Sequence, residues 1–262
     1  MLRSFAGGDL FGETWGDGPA RVLALHGWRR THSDFAGVLG TGSRSGASPS
    51  IAVDLPGFGA SPPPAEAWGS AEYAELVART LRTPGPGSPE GPVVVLGHSF
   101  GGRVAVHLAA SHPELVRSLV LTGAPVARRE GPVRKPPAPF RLIRAARKAH
   151  LVPEATLERA RQRYGSADYV AAQGVMRAVL VRLLAERYEG QLSRISCSVE
   201  LVWGDDDTEA PLSIAKAVQS AIPDSVLTVA PGAGHMTPLS VPDLLRDAVD
   251  RALDTPLQAG AC

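Results

Sequence analysis

The sequence predicts an α/β fold built on a mostly parallel, doubly wound sheet. Three observations lead there. Short apolar runs alternate with helical patterns along most of the 262 residues, as in sheets buried on both faces. Each run stops abruptly at a turn rich in Gly, Pro or Asp. Lastly, the residues equipped for chemistry sit just past these runs, on the edge where open parallel sheets place their sites.

Taken in order, Arg21-Val22-Leu23-Ala24-Leu25 ends at His26-Gly27-Trp28, and Ile51-Ala52-Val53 ends at Asp54-Leu55-Pro56-Gly57-Phe58-Gly59. Val93-Val94-Val95-Leu96 runs into Gly97-His98-Ser99-Phe100-Gly101-Gly102. Ser118-Leu119-Val120-Leu121 ends at Thr122-Gly123, Val199 to Trp203 at Gly204-Asp205-Asp206-Asp207, and Val226 to Val229 leads towards Gly234-His235. The spacing predicts helices over 70–81, 102–111, 211–221 and 241–253. Segments 40–50 and 83–92 are rich in Gly, Ser and Pro and read as surface connections. There is no internal repeat.

The alternation breaks over residues 124–195, which keep helical periodicity without a good strand and are punctuated by proline in their first half. This segment is expected to be an inserted helical cap, with 1–123 and 196–262 forming the core. It carries 15 Lys/Arg against 6 Asp/Glu, although the whole chain has a formal net charge of only +1. A near-neutral total gives no reason to expect nucleic acid as a partner. Two cysteines, Cys197 and Cys262, make no disulfide framework. Neither a signal peptide nor an apolar run of membrane-spanning length is visible, so a soluble cytoplasmic protein is expected.

The stretch Gly97-His98-Ser99-Phe100-Gly101 lies between a strand and a helix, the setting of a nucleophile elbow. A sharp reversal there brings residues two before and two after the serine together, where side chains would clash. Ser99 then needs a base, an acid to orient it, and an oxyanion hole. His235 follows the last strand on a glycine-flanked loop and is the expected base. The acid lies among Asp205, Asp206, Asp207 and Glu209; Asp207 is chosen, with Asp205 and Asp206 left to face solvent or cap amides. The oxyanion donors are expected to be the backbone amides of Phe100, next to the nucleophile, and Trp28, after His26-Gly27. His26 is expected to brace its own loop, and His98 to project away from Ser99. Both are nonetheless placed around the substrate pocket, with Met176 and Met236, and His32 is a further possible contact. His107, His112 and His150 are read as structural or solvated. No metal or organic cofactor is called for.

These pieces together resemble the α/β-hydrolase fold superfamily over nearly the whole chain. They are His26-Gly27-Trp28, residues 54–61, the serine turn 97–102, Trp203-Gly204-Asp205-Asp206-Asp207-Thr208-Glu209-Ala210-Pro211, and Gly234-His235. The family's G-x-x-D-x-x-x-P pattern selects Asp207. A serine nucleophile implies acyl transfer, since relatives that attack alkyl carbon carry aspartate instead. The chain looks similar to carboxylesterases, to cofactor-free haloperoxidases and to pimeloyl-carrier-protein methyl ester esterases. It departs from the esterase pattern at His98, at Phe100 and at Arg29-Arg30, where tryptophan, leucine and a glycine usually stand. The resemblance implies cleavage of a small carboxylic ester; perhydrolysis or C–C cleavage on the same triad is the alternative, as is a non-catalytic ligand-binding protein. Arg128, Arg129, Arg134, Lys135, Arg141, Arg144, Arg147 and Lys148 make the cap's first half basic. A solvated face explains this, and recruitment of an anionic or carrier-protein-bound acyl group is the sharper reading.

Overall fold

The computed structural model describes residues 2–40, 48–85, 87–128 and 137–256. In chain order the elements are β1 (Arg3–Phe5), β2 (Leu10–Trp15), β3 (Val22–Leu25), α1 (Ala36–Leu39), β4 (Ser50–Asp54), α2 (Ser70–Arg82), β5 (Val93–His98), α3 (Phe100–Ser111) and β6 (Val116–Thr122). Five helices follow without a strand: α4 (Ala138–Lys148), α5 (Glu154–Tyr164), α6 (Ala167–Ala171), α7 (Gly174–Ala185) and α8 (Glu189–Leu192). The chain then resumes with β7 (Ser198–Gly204), α9 (Leu212–Ala221), β8 (Ser225–Ala230), α10 (Thr237–Ser240) and α11 (Pro242–Asp254).

The sheet has eight strands in the order β1-β2-β4-β3-β5-β6-β7-β8. β3 to β8 are parallel neighbours, while β1 and β2 pair antiparallel at one edge. The α/β expectation holds, and among the strands the sequence reading missed only this edge hairpin. Its residues, Arg3-Ser4-Phe5 and Leu10-Phe11-Gly12-Glu13-Thr14-Trp15, are half polar because that edge is partly solvated, so no apolar run marks it. Gly12 belongs there for a tertiary reason: a Cβ would fall 2.2 Å from the Ala52 carbonyl oxygen of β4.

Period-two alternation distributes the central strands between two cores. Leu23, Leu25, Val93, Val95, Leu119, Leu121 and Leu201 face a cluster completed by α2, α3 and α9. Val22, Ala24, Val94, Leu96, Val120 and Val202 face Phe35, Val38, Leu245, Ala248 and Val249 beside α1 and α11. Burial on both faces explains why these strands read as unbroken apolar runs. Each fully buried Val or Leu side chain contributes about 1.5–3 kcal/mol.

Helix boundaries follow local chemistry. Glu72 accepts the Gly69 N–H at 2.9 Å, one half of a capping box at the start of α2. Pro242 occupies the first turn of α11, where its missing N–H costs nothing. α4, in the proline-punctuated stretch, was not foreseen as a helix; its prolines stand at or before its first turn, where the helix tolerates them. The C-terminal end of α7 is tied to the core by polar contacts at the start of α2 and just before it. Glu186 accepts from the Ser70 amide at 2.9 Å and from the hydroxyls of Ser70 and Tyr188, and Arg182 donates to the Ala67 carbonyl at 2.7 Å. Among the described residues no helix is long and apolar enough to cross a membrane.

Candidate active site

The turn between β5 and α3 has the strain its sequence implies. Ser99 sits at φ +51, ψ −110, outside the regions an L-residue ordinarily occupies. Its amide donates to the Thr122 carbonyl at 2.9 Å, and its carbonyl accepts from Gly102 at 3.1 Å. The flanking glycines leave no space. A Cβ on Gly97 would come within 2.6 Å of the Gly102 Cα, and one on Gly101 within 2.0 Å of the Leu25 carbonyl oxygen. Helix α3 therefore packs closely on β5 and β3 only with hydrogen at these positions.

The structure brings Ser99, His235 and Asp207 together from three separate strand ends. The Ser99 hydroxyl lies 3.0 Å from His235 Nε2, and His235 Nδ1 lies 2.8 Å from Asp207 Oδ2. Because the carboxylate can only accept, Nδ1 carries the imidazole proton and Nε2 is left to accept from Ser99. The other Asp207 oxygen, Oδ1, accepts the amides of Glu209 and Ala210 at 2.9 and 2.8 Å. Trp203 closes this acidic turn from below by donating its indole N–H to the Ala210 carbonyl at 2.6 Å. Asp205 accepts the Gly232 amide at 2.7 Å, the capping role expected for it.

Burial alone would lower the pKa of His235. The hydrogen bond and charge of Asp207, with the charges of Glu209 and Asp168, outweigh it and hold the imidazole above its ordinary value of 6.5. Glu209 also brings a carboxylate oxygen within 3.6 Å of Nε2 itself, the nitrogen that faces the serine.

The turn after β3 comes close to Ser99, and a Cβ on Gly27 would lie 3.4 Å from the serine Cβ. Phe100 is the first residue of α3, so its N–H has no acceptor within the helix. Trp28 occupies the second position of a turn closed by the Arg30 amide on the Gly27 carbonyl at 3.1 Å. The Gly101 amide donates to the His26 carbonyl at 2.9 Å and holds this turn against the start of α3. Arg29 takes φ +57 in that turn, a left-handed conformation that glycine adopts without penalty. Its guanidinium reaches Asp168 of α6 at 3.5 Å.

The wall beside the amides is aromatic. Trp28 meets Phe58 and Phe100 edge-on with centroids 4.9 and 5.7 Å apart, and Tyr73 meets Phe100 at 5.0 Å. Met176 of α7 covers the Gly57 turn so closely that a Cβ there would lie 2.3 Å from its sulfur. Met236 is half-buried at the start of α10.

Two pocket assignments need correction. His26 is fully buried, donating Nδ1–H to the Gly27 carbonyl at 2.7 Å and accepting the Leu55 amide on Nε2 at 2.8 Å. It ties the turn after β3 to the one after β4, and burial pushes its pKa down to about 4. His98 is 1% exposed and lies beneath the site. Neither faces a substrate, because both rings are buried within the protein. His32 is held by Asp54 at 2.8 Å.

Sequence reasoning also missed Gly123. It lies under the His235 ring at φ +55, and a Cβ there would sit 3.0 Å from both Cε1 and Nδ1. The Gly-Ala-Pro after β6 was visible in the sequence, but nothing local says that an imidazole from residue 235 packs on it. Gly204 is similar: its Cβ would fall 2.1 Å from the Ala233 carbonyl oxygen of the histidine loop.

A family model described as the alpha/beta hydrolase family matches residues 22–248. A pimeloyl-[acyl-carrier protein] methyl ester esterase of Chromobacterium violaceum is 32% identical over 260 residues, covering 88% of this chain and 93% of that protein. Lipase LipV of Mycobacterium tuberculosis is 39% identical over 127 residues, a match spanning 45% of this chain and 43% of that relative. Among solved structures, an esterase from Thermogutta terrifontis with malate bound superposes with a TM-score of 0.67 at 22% identity and covers 97% of each chain. That likeness carries the fold. With the matched family spanning nearly the whole sheet, the chain belongs to the alpha/beta hydrolase family.

Proposed function

We propose that this protein is a serine hydrolase that cleaves a small carboxylic ester through an acyl-enzyme. The carrying observation is the continuous hydrogen-bond path from Ser99 Oγ through the His235 imidazole to Asp207, at 3.0 and 2.8 Å. As Ser99 attacks the carbonyl carbon, its proton passes to His235 Nε2. Asp207 holds the ring in that tautomer and stabilises the imidazolium. The Trp28 and Phe100 amides receive the oxyanion; losing one such donor typically costs about 10²- to 10³-fold in rate. His235 then protonates the departing alcohol. Water, deprotonated by the same nitrogen, releases the acid and restores Ser99. Every step uses groups of this chain.

In this reading residues 124–195 are the cap, and 1–123 with 196–262 the catalytic core. Trp28, Phe58, Phe100 and Met176 bound the acyl side, which suits a short apolar group next to the ester carbonyl. Arg128 is exposed, as are Arg141, Arg144 and Lys148 of α4, and Arg147 is paired with Glu154. Arg129, Arg134 and Lys135 fall outside the described residues. This exposed basic surface, with the likeness to a carrier-protein methyl ester esterase, supports an anionic or carrier-bound acyl substrate.

A fluorophosphonate probe tests the reaction class. The folded protein is expected to be labelled, and Ser99→Ala to abolish labelling; no labelling of the folded wild type excludes serine catalysis and leaves a ligand-binding role. An ester panel varying chain length and terminal charge, run beside peracid formation and C–C substrates, then assigns the bond cleaved.

A further inference from the structure

His98 has no part in the proton path, yet its ring is buried directly beside it. It stands one residue before Ser99, at the end of β5, with 1% of its surface exposed. Its Nε2 lies 2.9 Å from the main-chain carbonyl oxygen of His235. A carbonyl only accepts, so Nε2 carries the proton and donates. Its other nitrogen, Nδ1, is buried without a partner among the described residues. That nitrogen faces the Gly27 Cα so closely that a Cβ on Gly27 would lie 2.9 Å from it. One ring thus spans the gap between the turn bearing the Trp28 amide and the backbone of His235.

We infer that His98 is a positioning residue, which sets the height of the His235 imidazole over Ser99 by gripping its main-chain carbonyl. The loop carrying His235 is glycine-rich on its N-terminal side, Gly232-Ala233-Gly234, and supplies little stiffness of its own. Asp207 holds the far end of the imidazole, and His98 holds the backbone from which the imidazole hangs. Two anchors on one residue fix both its direction and its distance to the nucleophile. Gly27 completes the arrangement, since any side chain there would displace the His98 ring.

The orphan Nδ1 gives the grip its pH range. Protonating it would create a buried cation without an acceptor, with the His235 ring centroid 5.0 Å away. The charged groups within reach are Asp34, Asp207 and His235; burial comes first and His235 second in holding His98 down, to about 4. The side chain therefore stays a neutral single donor across the range in which the site would work.

The inference rests on the serine-hydrolase reading for its kinetic arm only. His98→Phe keeps the ring and its burial while removing the donor, and His98→Gln returns an N–H near the position of Nε2. In the full-length protein, His98→Phe is expected to lower kcat and the fluorophosphonate labelling rate about 10- to 100-fold, with KM within twofold of wild type. His98→Gln is expected to recover most of that loss. In histidine-labelled wild type, ¹⁵N NMR is expected to show His98 as a non-titrating Nε2–H tautomer between pH 5 and 8, while His235 titrates. Wild-type kcat in a folded His98→Phe variant overturns the inference, as does an Nδ1–H tautomer or a His98 titration near pH 6.5. If wild type is not labelled by the probe, the hydrolase reading fails, and the NMR arm still decides the hydrogen bond.

Discussion

Asp207 holds His235 with one carboxylate oxygen and its own loop with the other. Oδ2 takes the imidazole Nδ1–H at 2.8 Å, while Oδ1 is fixed by the amides of Glu209 and Ala210. The carboxylate is thus oriented before it orients anything else. Asp207→Asn keeps the shape and can satisfy one set of partners, but its amide group would face Nδ1 or the two loop amides. We expect kcat to fall about 10³- to 10⁴-fold through the wrong tautomer, with little change in Tm. Combining it with Ser99→Ala should add almost nothing, since the residues act as a unit. Steady-state kinetics of the two single variants and the double variant check this.

The pH profile tests the charges around His235. Asp207, Glu209 and Asp168 overcome burial and raise its pKa above 6.5, so the active neutral form gains population only above that raised value. The acid limb of kcat/KM should accordingly lie above pH 6.5. The same shift stabilises the fold fully below 6.5, a contribution lost as pH rises through the folded pKa. Glu209→Gln should move the kinetic limb down, and only slightly, because this carboxylate is 70% exposed and screened. Salt should shrink the difference between the two profiles.

The two buried histidines should make the fold sensitive to acid. His26 and His98 have folded pKa values lowered to about 4 by burial. Below about pH 6.5 the unfolded chain binds protons that the folded chain refuses, so stability falls from there down to about pH 4. On the order of 3 kcal/mol is at stake for each. Urea midpoints measured from pH 4 to 7 should decline towards acid in wild type, and less steeply in His26→Gln.

Gly123→Ala should damage catalysis more than stability. Its Cβ would press on the His235 ring at 3.0 Å from a backbone at φ +55. We expect a loss of about 1–3 kcal/mol in stability and roughly a 10²-fold drop in kcat as the imidazole shifts. Equal stability loss with unchanged kcat would show that the ring does not depend on this floor.

Arg29→Gly tests the strain in the turn bearing Trp28. Glycine adopts φ +57 freely, and the Asp168 ion pair it removes is long and half-exposed, at 3.5 Å. The variant should be as stable as wild type or up to about 1 kcal/mol more stable. A clear loss in thermal unfolding would mean that the Arg29 contact with α6 outweighs the backbone cost.

By itself the sequence determined what depends on neighbours along the chain. Apolar runs buried on both faces announced the parallel strands, and the glycines around Ser99 announced a turn that only hydrogen atoms permit. The order serine, acid, histidine then brought Ser99, Asp207 and His235 into one hypothesis. Only the tertiary structure decided what depends on residues far apart in the chain. The β1–β2 hairpin is too polar to advertise itself and exists because β4 offers an edge to Gly12. Gly123 and Gly204 matter because residues 233–235 fold back over them. His26 and His98 looked like pocket residues from their positions beside Gly27 and Ser99, yet their rings turn into the core. There the Leu55 amide and the His235 carbonyl, 29 and 137 residues away, meet them. Ser99's strand-turn-helix setting was legible because it is local. The contacts that hold the His235 imidazole at 3.0 Å from its hydroxyl arise only when the sheet assembles them.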